Sequence, residues 1–332
     1  MKMGKVTIKD VAREAGVSIS TVSNALNGVN VLHPDTKAHI LEVAKRLHYV
    51  PNINGRNLKA QATKVIGLFV GYMGGPYMGA LTDSMAKWCA REAYELQVFV
   101  TSQSRTIMAN LLGHRVDGAV IAGNALTAKQ AEELSEAGLP VVYLNREIKG
   151  RLQAGVFFDS CQAGRMAAAY FLEKGFSRLG LIEGVDNYDG RERKRGFLSA
   201  LSEKGIEISK EHIWQGGFAR DMAYRSVSAF LKKAASEGAP LPQAVFAAND
   251  LSAIGGMEAF AQAGIKVPWE VKVMGCDDIE LGRYLTPALT TIRTNFEEQG
   301  AVAVQCLLQM LRGENEGAEI CLACSLVERG SA

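Results

Sequence analysis

From residue 65 onward, short apolar runs alternate with helix-length amphipathic stretches, and this alternation leaves the chain few architectures to choose from. The runs are VIGLFV at 65–70, LQVFV at 96–100, GAVIAG at 118–123, PVVYL at 140–144, GVFF at 155–158, LGLIEG at 179–184, AVFAA at 244–248, VKVMG at 271–275 and LTTI at 289–292. Helical patterns such as 81–94 and 161–174 lie between most of them. Repeated βα units predict parallel sheets covered by helices on both faces. About ten strands divide better into two sheets than one. In such folds ligands sit beyond the carboxyl ends of the strands, and between the lobes where there are two. At 332 residues the chain exceeds one ordinary core.

The first 62 residues follow a different pattern. They hold nine Lys and Arg against four Asp and Glu, a net +5, so the rest of the chain carries −3 of the total of +2. A basic end on a slightly acidic body suggests an anionic polymer as its partner. Ile8, Val11, Ala12 and Ala15 form the apolar stripe of a short helix, with Thr7 as its cap. Gly16 permits a tight turn. Ser18 caps a second helix with Val22, Ala25 and Leu26 inward, and Gly28 follows its end. A third helix runs from about Pro34, with Ile40, Val43, Ala44 and Leu47 inward. Two short helices around a tight turn, supported by a third, form a helix-turn-helix. Its second helix would present Ile19, Ser20, Thr21, Ser23, Asn24 and Asn27 outward. Asn can pair with adenine in the major groove, an apolar group can meet a thymine methyl, and hydroxyls suit phosphates or base edges. A merely solvated helix face is the plain alternative.

The segment YVPNINGRNLKAQ at 49–61 reads either as a flexible linker or as a short helix after Pro51 capped by Asn52. Gly55 costs such a helix about 1 kcal/mol relative to Ala, and an isolated helix of this length is marginal in water. In the second reading it orders only on DNA and offers Leu58 as an apolar wedge in a minor groove.

VTIKDVAREAGVSISTVSNALNG…HPDTKAHILEVAKRLHYVPN resembles the headpiece of the lactose/galactose repressor (LacI/GalR) family of bacterial transcription regulators, without a gap from Val6 to Asn52. AVFAANDLSAIGGMEAFAQAGIKVP, VKVMGCDDIELGRYLTPALTTIR and RERKRGFLSAL extend the resemblance over nearly the whole chain. It implies a helix-turn-helix headpiece at 1–50, a hinge at 51–62 and a two-lobed core at 63–332 like the periplasmic sugar-binding proteins. The chain would cross between lobes three times, the amino lobe being about 63–160 with 294–320 and the carboxyl lobe about 161–293 with 321–332. It also implies that Ile19, Ser20 and Asn24 read bases and that Leu58 is the wedge. Thr7, Ser18, Thr21, Ser23, Asn27, Asn52 and Arg56 are further candidates for DNA contact. Its effector contacts map onto Arg193, Asn249 and Asp277, and more weakly onto Phe218, Asn145, Tyr72 and Tyr77. Asp accepts from paired hydroxyls, Arg donates a fork of N–H groups, and an aromatic face covers an apolar sugar face. Capping of the following helix is the alternative for Asn249 and Asp250. Asp278 is expected to be structural. Cys276 stands where the family usually has Phe or Tyr, which suggests a roomier pocket floor. Arg191, Lys194 and Arg195 next to Arg193 either welcome an acidic or phosphorylated sugar or form a solvated face.

The expected function is therefore a DNA-binding regulator, a repressor, whose operator affinity is controlled by a small molecule, a sugar or sugar derivative, bound between the lobes. Its expected partners are a palindromic double-stranded operator, that effector and a second copy in a homodimer, since only three residues follow Arg329. It is expected in the cytoplasm, because MKMGKVTIKD has no apolar core of a signal peptide, and no run approaches the roughly 20 residues that span a membrane. No cofactor, metal or catalytic residue is expected. The six cysteines are scattered. Cys321 and Cys324 form a lone C-x-x-C, read as buried thiols in one terminal strand, and GYMGGPYMG is not a dinucleotide fingerprint. A sugar-binding transport protein and a sugar-processing α/β enzyme are the alternatives.

Overall fold

A computed structural model describes residues 6–26, 32–50 and 62–332. The chain divides into two compact units, residues 1–63 and 64–332.

In the first unit, α1 (Ile8–Glu14), α2 (Ile19–Leu26) and α3 (Pro34–Arg46) follow the expected periodicity. The Asp10 carboxylate accepts from the Thr7 N–H at 3.0 Å and the Thr7 hydroxyl at 2.7 Å, which closes the start of α1. Gly16 turns the chain at a φ of +66°. The Ser18 hydroxyl accepts from the Thr21 N–H at 3.1 Å and caps α2. Val11, Ala12, Ala15, Val22, Ala25, Ile40, Val43 and Ala44 make one small core. Arg46 pairs with Glu14 at 2.8 Å and ties α3 to the end of α1. Asn27, Gly28, Asn52, Gly55, Arg56 and Leu58, and with them the hinge, lie outside the described residues.

The second unit holds two sheets. The first runs β12-β6-β4-β3-β1-β2, from β1 (Val65–Val70), β2 (Glu95–Val100), β3 (Gly118–Ala122), β4 (Val141–Leu144), β6 (Gln153–Phe158) and β12 (Glu319–Leu322). All its pairs are parallel except that of the two-residue β5 (Lys149–Gly150) with β6. The second runs β13-β11-β10-β9-β7-β8, from β7 (Leu179–Glu183), β8 (Ile213–Gln215), β9 (Ala244–Ala247), β10 (Lys272–Asp277), β11 (Thr290–Arg293) and β13 (Ser325–Val327). It is parallel but for the β11–β13 pair. Helices α4 (Gly75–Arg91), α5 (Ser104–Leu112), α6 (Ala128–Glu136) and α11 (Phe296–Leu311) accompany the first sheet. Helices α7 (Ser160–Glu173), α8 (Tyr188–Ser202), α9 (Arg220–Glu237) and α10 (Asp250–Gln262) accompany the second. The runs in β1, β4 and β9 are buried on both faces, as parallel strands under two helical layers require, whereas the edge strand β2 is half-exposed.

Strand order reverses beside β1 in the first sheet and beside β7 in the second, so each sheet has a switch point where adjacent loops part. The chain passes between the sheets after β6, after β11 and after β12. The first and third passages run side by side, with the Asp159 N–H donating to the Leu322 carbonyl at 2.9 Å. β12 continues in the first sheet through Leu322, two residues beyond the expected boundary.

Two expectations fail at the carboxyl end. EICLACSLV forms two strands in different sheets rather than one, because the third passage lies within it. Cys321 is accordingly exposed and Cys324 only partly buried, so they are not a pair of buried thiols. Among the described residues no helix is long and apolar enough to cross a membrane.

The headpiece core is small enough that one truncation should matter. Ile40→Ala should lower the free energy of opening α1–α3 by about 2–5 kcal/mol, read by hydrogen exchange, with exchange in residues 64–332 unchanged.

Candidate functional site

In the headpiece, Ile19 and Ser20 are exposed at the start of α2, Ile19 at 46%. Thr21, Ser23 and Asn24 are half-exposed on the same helix. This face is opposite Val22 and Ala25, which are buried, so the helix packs by one side and offers small polar groups and one apolar group by the other. Thr7 and Ser18 are exposed but already serve as helix caps. The face fits a recognition helix, whose first residues meet base edges.

In the core, the carboxyl ends of both sets of strands open into a cleft of about 650 Å³. Tyr72, Tyr77, Asn145, Arg193, Phe218, Asn249 and Asp277, from both lobes, all line it. Tyr72 stands at its edge, 67% exposed.

Two glycines place Arg193. A Cβ on Gly164 would lie 2.1 Å from the Arg193 carbonyl, and one on Gly196 would lie 1.9 Å from that of Cys161, so α7 and α8 approach as only glycine allows. This buries the Arg193 guanidinium, where Nη1 donates to the Ala248 carbonyl and, at 3.1 Å, to Asp277 Oδ1. The Thr294 hydroxyl donates to the same oxygen at 3.3 Å. Burial pushes the Asp277 carboxyl up to about 7, against the pull of Arg193. Phe218 sets its ring 5.9 Å from the guanidinium, in space that a Cβ on Gly184 would fill. Asn145, Phe218, Asp277 and Asp278 have φ of +52°, +59°, +125° and +56°. Such left-handed backbone costs about 1–3 kcal/mol per residue, and three of these four residues line the cleft.

Asn249 is the N-cap of α10, its Oδ1 accepting from the Ser252 N–H at 2.9 Å while Nδ2 donates to the Phe218 carbonyl at 3.2 Å. It therefore both caps the helix and lines the cleft. Asp250 is fully internal, bonded to the Thr291 hydroxyl at 2.6 Å and the Ile279 N–H at 2.8 Å. Burial pushes it up to about 6. Asp278 is structural. Though burial opposes its charge, the guanidiniums of Arg329 and Arg293 hold it below the usual carboxylate range.

One further reading is corrected, and one pair of alternatives is decided for the solvated face. Cys276 packs with Phe197, Phe246, Met274 and Ile292 rather than flooring the cleft, because alternate residues of β10 face opposite sides and Asp277 takes the open end. Arg191, Lys194 and Arg195 pair with Asp186, Glu183 and Glu192, so of that basic cluster Arg193 alone lines the cleft.

The sequence reading missed Phe158, Asp189 and Phe296 in the lining, and Gln299 behind it. Gln299 is fully buried. Its Oε1 accepts from the Tyr77 hydroxyl at 3.0 Å, and its Nε2 donates to Asn145 Oδ1 at 2.7 Å and the Val156 carbonyl at 3.1 Å. Burial and the nearby Asp189 carboxylate push the Tyr77 hydroxyl well above the usual phenol range, so it remains a donor. The Tyr77 and Phe296 rings meet edge to face at 4.8 Å. Among the described residues no cluster of three His, Cys, Asp or Glu is placed to hold a metal ion.

A helix-turn-helix unit in one chain with a two-lobed cleft defines a DNA-binding transcription regulator with a ligand-binding core. Residues 7–52 match the bacterial regulatory proteins of the lacI family, and 168–332 match a periplasmic binding protein-like domain. The chain is 32% identical to the HTH-type transcriptional repressor PurR of Edwardsiella ictaluri (strain 93-146), covering 98% of this chain and 96% of that one. It is 31% identical to the probable HTH-type transcriptional repressor ExuR of Bacillus subtilis (strain 168), covering 95% and 94%. The solved structure of a transcriptional regulator CelR–cellobiose complex superposes with a TM-score of 0.72 at 26% identity, covering 98% of this chain and all of that one. The chain belongs to the lacI family of bacterial regulatory proteins.

The raised Asp277 gives a pH test. The folded state holds this proton more tightly than the unfolded chain, so stability is lost as pH rises from the ordinary value of 3.8 towards about 7, and no more is lost above. The melting temperature of Asp277→Asn relative to the parent should therefore climb between pH 4 and 7 and level off. The unpaired Arg193 adds only a constant offset. A flat difference would contradict the buried, proton-holding carboxyl.

Proposed function

We propose that the chain is a transcriptional repressor that binds a palindromic operator as a homodimer and whose operator affinity is set by a sugar or sugar derivative in the cleft. One observation carries the reading: a cleft between two lobes in which the buried Arg193–Asp277 pair faces aromatic side chains. Hydrogen-bonding charges opposite apolar rings suit a hydroxylated ring with one apolar face. The CelR–cellobiose complex shares this fold, and the PurR and ExuR relatives are repressors by name. Tyr72, Tyr77, Asn145, Phe218 and Asn249 are the remaining proposed effector contacts. Ile19, Ser20 and Asn24 are proposed as the base readers, with Thr7, Ser18, Thr21, Ser23, Asn27, Asn52 and Arg56 on phosphates or flanking edges. Leu58 is proposed as the minor-groove wedge. The hinge at 51–62 is proposed to join DNA reading by the headpiece to lobe position. The cleft binds and releases its ligand without converting it, and the protein works in the bacterial cytoplasm, where its DNA is.

Selection from a random DNA pool with the full chain should return a palindrome whose affinity falls steeply with salt, because phosphate contacts release counterions. Leu58→Ala should weaken binding to that palindrome roughly 10-fold or more while leaving sugar-induced melting shifts intact. Equal operator affinity in variant and parent would remove the wedge role. Turnover of any sugar on incubation would instead favour an enzyme.

A further inference from the structure

Among the described residues, all Asp, Glu, Lys and Arg side chains that line the cleft come from the second lobe, and the acids outnumber the bases two to one. They are Asp189, Asp277 and Arg193. The Arg193 guanidinium is turned to the Asp277 carboxyl at 3.1 Å and to the Ala248 carbonyl. Asp189 is buried in the first turn of α8. Its Oδ1 accepts from the Ser160 hydroxyl at 2.6 Å, and among the described residues it has no ion pair of its own. The amino-terminal end of α8 favours its negative charge but brings no counter-ion. Arg193 acts on Asp189 through space and not by direct contact, so a cation carried in by a ligand could pair with this carboxyl directly.

The opposite wall is neutral and aromatic. Tyr77, Phe158 and Phe296 line it with rings packed edge to face on one another, and aromatic rings attract cations. The polar groups of Tyr77, Asn145 and Gln299 are largely spent on one another. On the second lobe, Arg193 Nε is buried and without a partner, leaving a donor for a ligand oxygen. An anionic ligand would meet two acidic side chains and one guanidinium that is already engaged.

We propose that the cleft takes a hydroxylated ligand bearing a protonated amine, an amino sugar, and that Asp189 is the residue that pairs with the amine. This rests on the reading of the cleft as a sugar site. Asp277 and Arg193 then serve the hydroxyls and ring oxygen, and Asp189 sets the choice of charge.

Calorimetric titration of the full chain at pH 7 tests this with matched sets. The probes are glucosamine, galactosamine and mannosamine, the three parent hexoses, the N-acetylated forms and the corresponding uronic acids. For at least one stereoisomer the amine should bind tenfold or more tightly than both its parent hexose and its N-acetylated form, with the uronic acid weakest. Asp189→Asn, which keeps the acceptor for Ser160, should bring the amine-to-hexose ratio close to one. The ratio in the unaltered chain stands as a test even if that variant folds poorly. Hexoses or uronic acids binding as tightly as the amines would overturn the amine proposal and leave the sugar site standing. Binding by none of the compounds, whatever their charge, would overturn both.

Discussion

Three passages of the chain between the lobes decide where this molecule can bind anything and how it can move. Each passage leaves the carboxyl end of a strand, where the cleft also is. Phe158 lines the cleft one residue before the first passage, whose Asp159 is bonded to the third at Leu322. On the second passage Thr294 donates to Asp277, and Phe296 stands in the wall two residues later. The segments that must flex when the lobes shift are thus the segments a ligand touches or nearly touches. A ligand with different contacts in two lobe arrangements would bias them directly, which is the physical requirement for control at a distance.

Around these passages the protein holds charges and strain that a simple core would avoid. Asp250, Asp277, Asp278 and Arg193 are all buried or nearly so, each with specific partners. Asp277 and Asp278 among them have positive φ, as do Asn145 and Phe218 nearby. Close helix packing at Gly164 and Gly196 keeps Arg193 in place. Such an arrangement costs stability and persists because the surrounding packing determines it. Asp278 and Asp250 brace the floor, and Asp277 and Asp189 are left facing the cleft.

Much of this was legible in the sequence, and the failures have physical reasons. The alternation of runs and helices reveals the sheets, because parallel strands buried on both faces must be continuously apolar. Three-residue β8, two-residue β5 and the split at Cys324 fall below the length at which a run stands out. Ile8, Val11, Ala12 and Ala15 show their helix because a period of 3.6 residues needs little length to be seen. Asn249 and Asp277 could be placed at strand ends, whereas Asn249's double use depends on a carbonyl 31 residues away, that of Phe218. Asp189 is hidden because an acid in a first helical turn is ordinary. Gln299 did leave a signal. It lies on the stripe of Phe296, Gly300, Ala303, Val304 and Leu307, and a polar residue on an apolar stripe marks a buried bond. Cys276 was misplaced because the face of β10 could not be told from its neighbours alone.

The central claim is that cleft and headpiece are coupled, and one measurement bears on it most directly. The affinity of the full chain for its selected palindrome should be measured with and without the hexose or amino sugar that most raises its melting temperature. Coupling predicts a change of about 5- to 150-fold in operator affinity, matched by an equal factor in sugar affinity when operator is added. A sugar that saturates the cleft and leaves operator affinity unchanged would contradict the account.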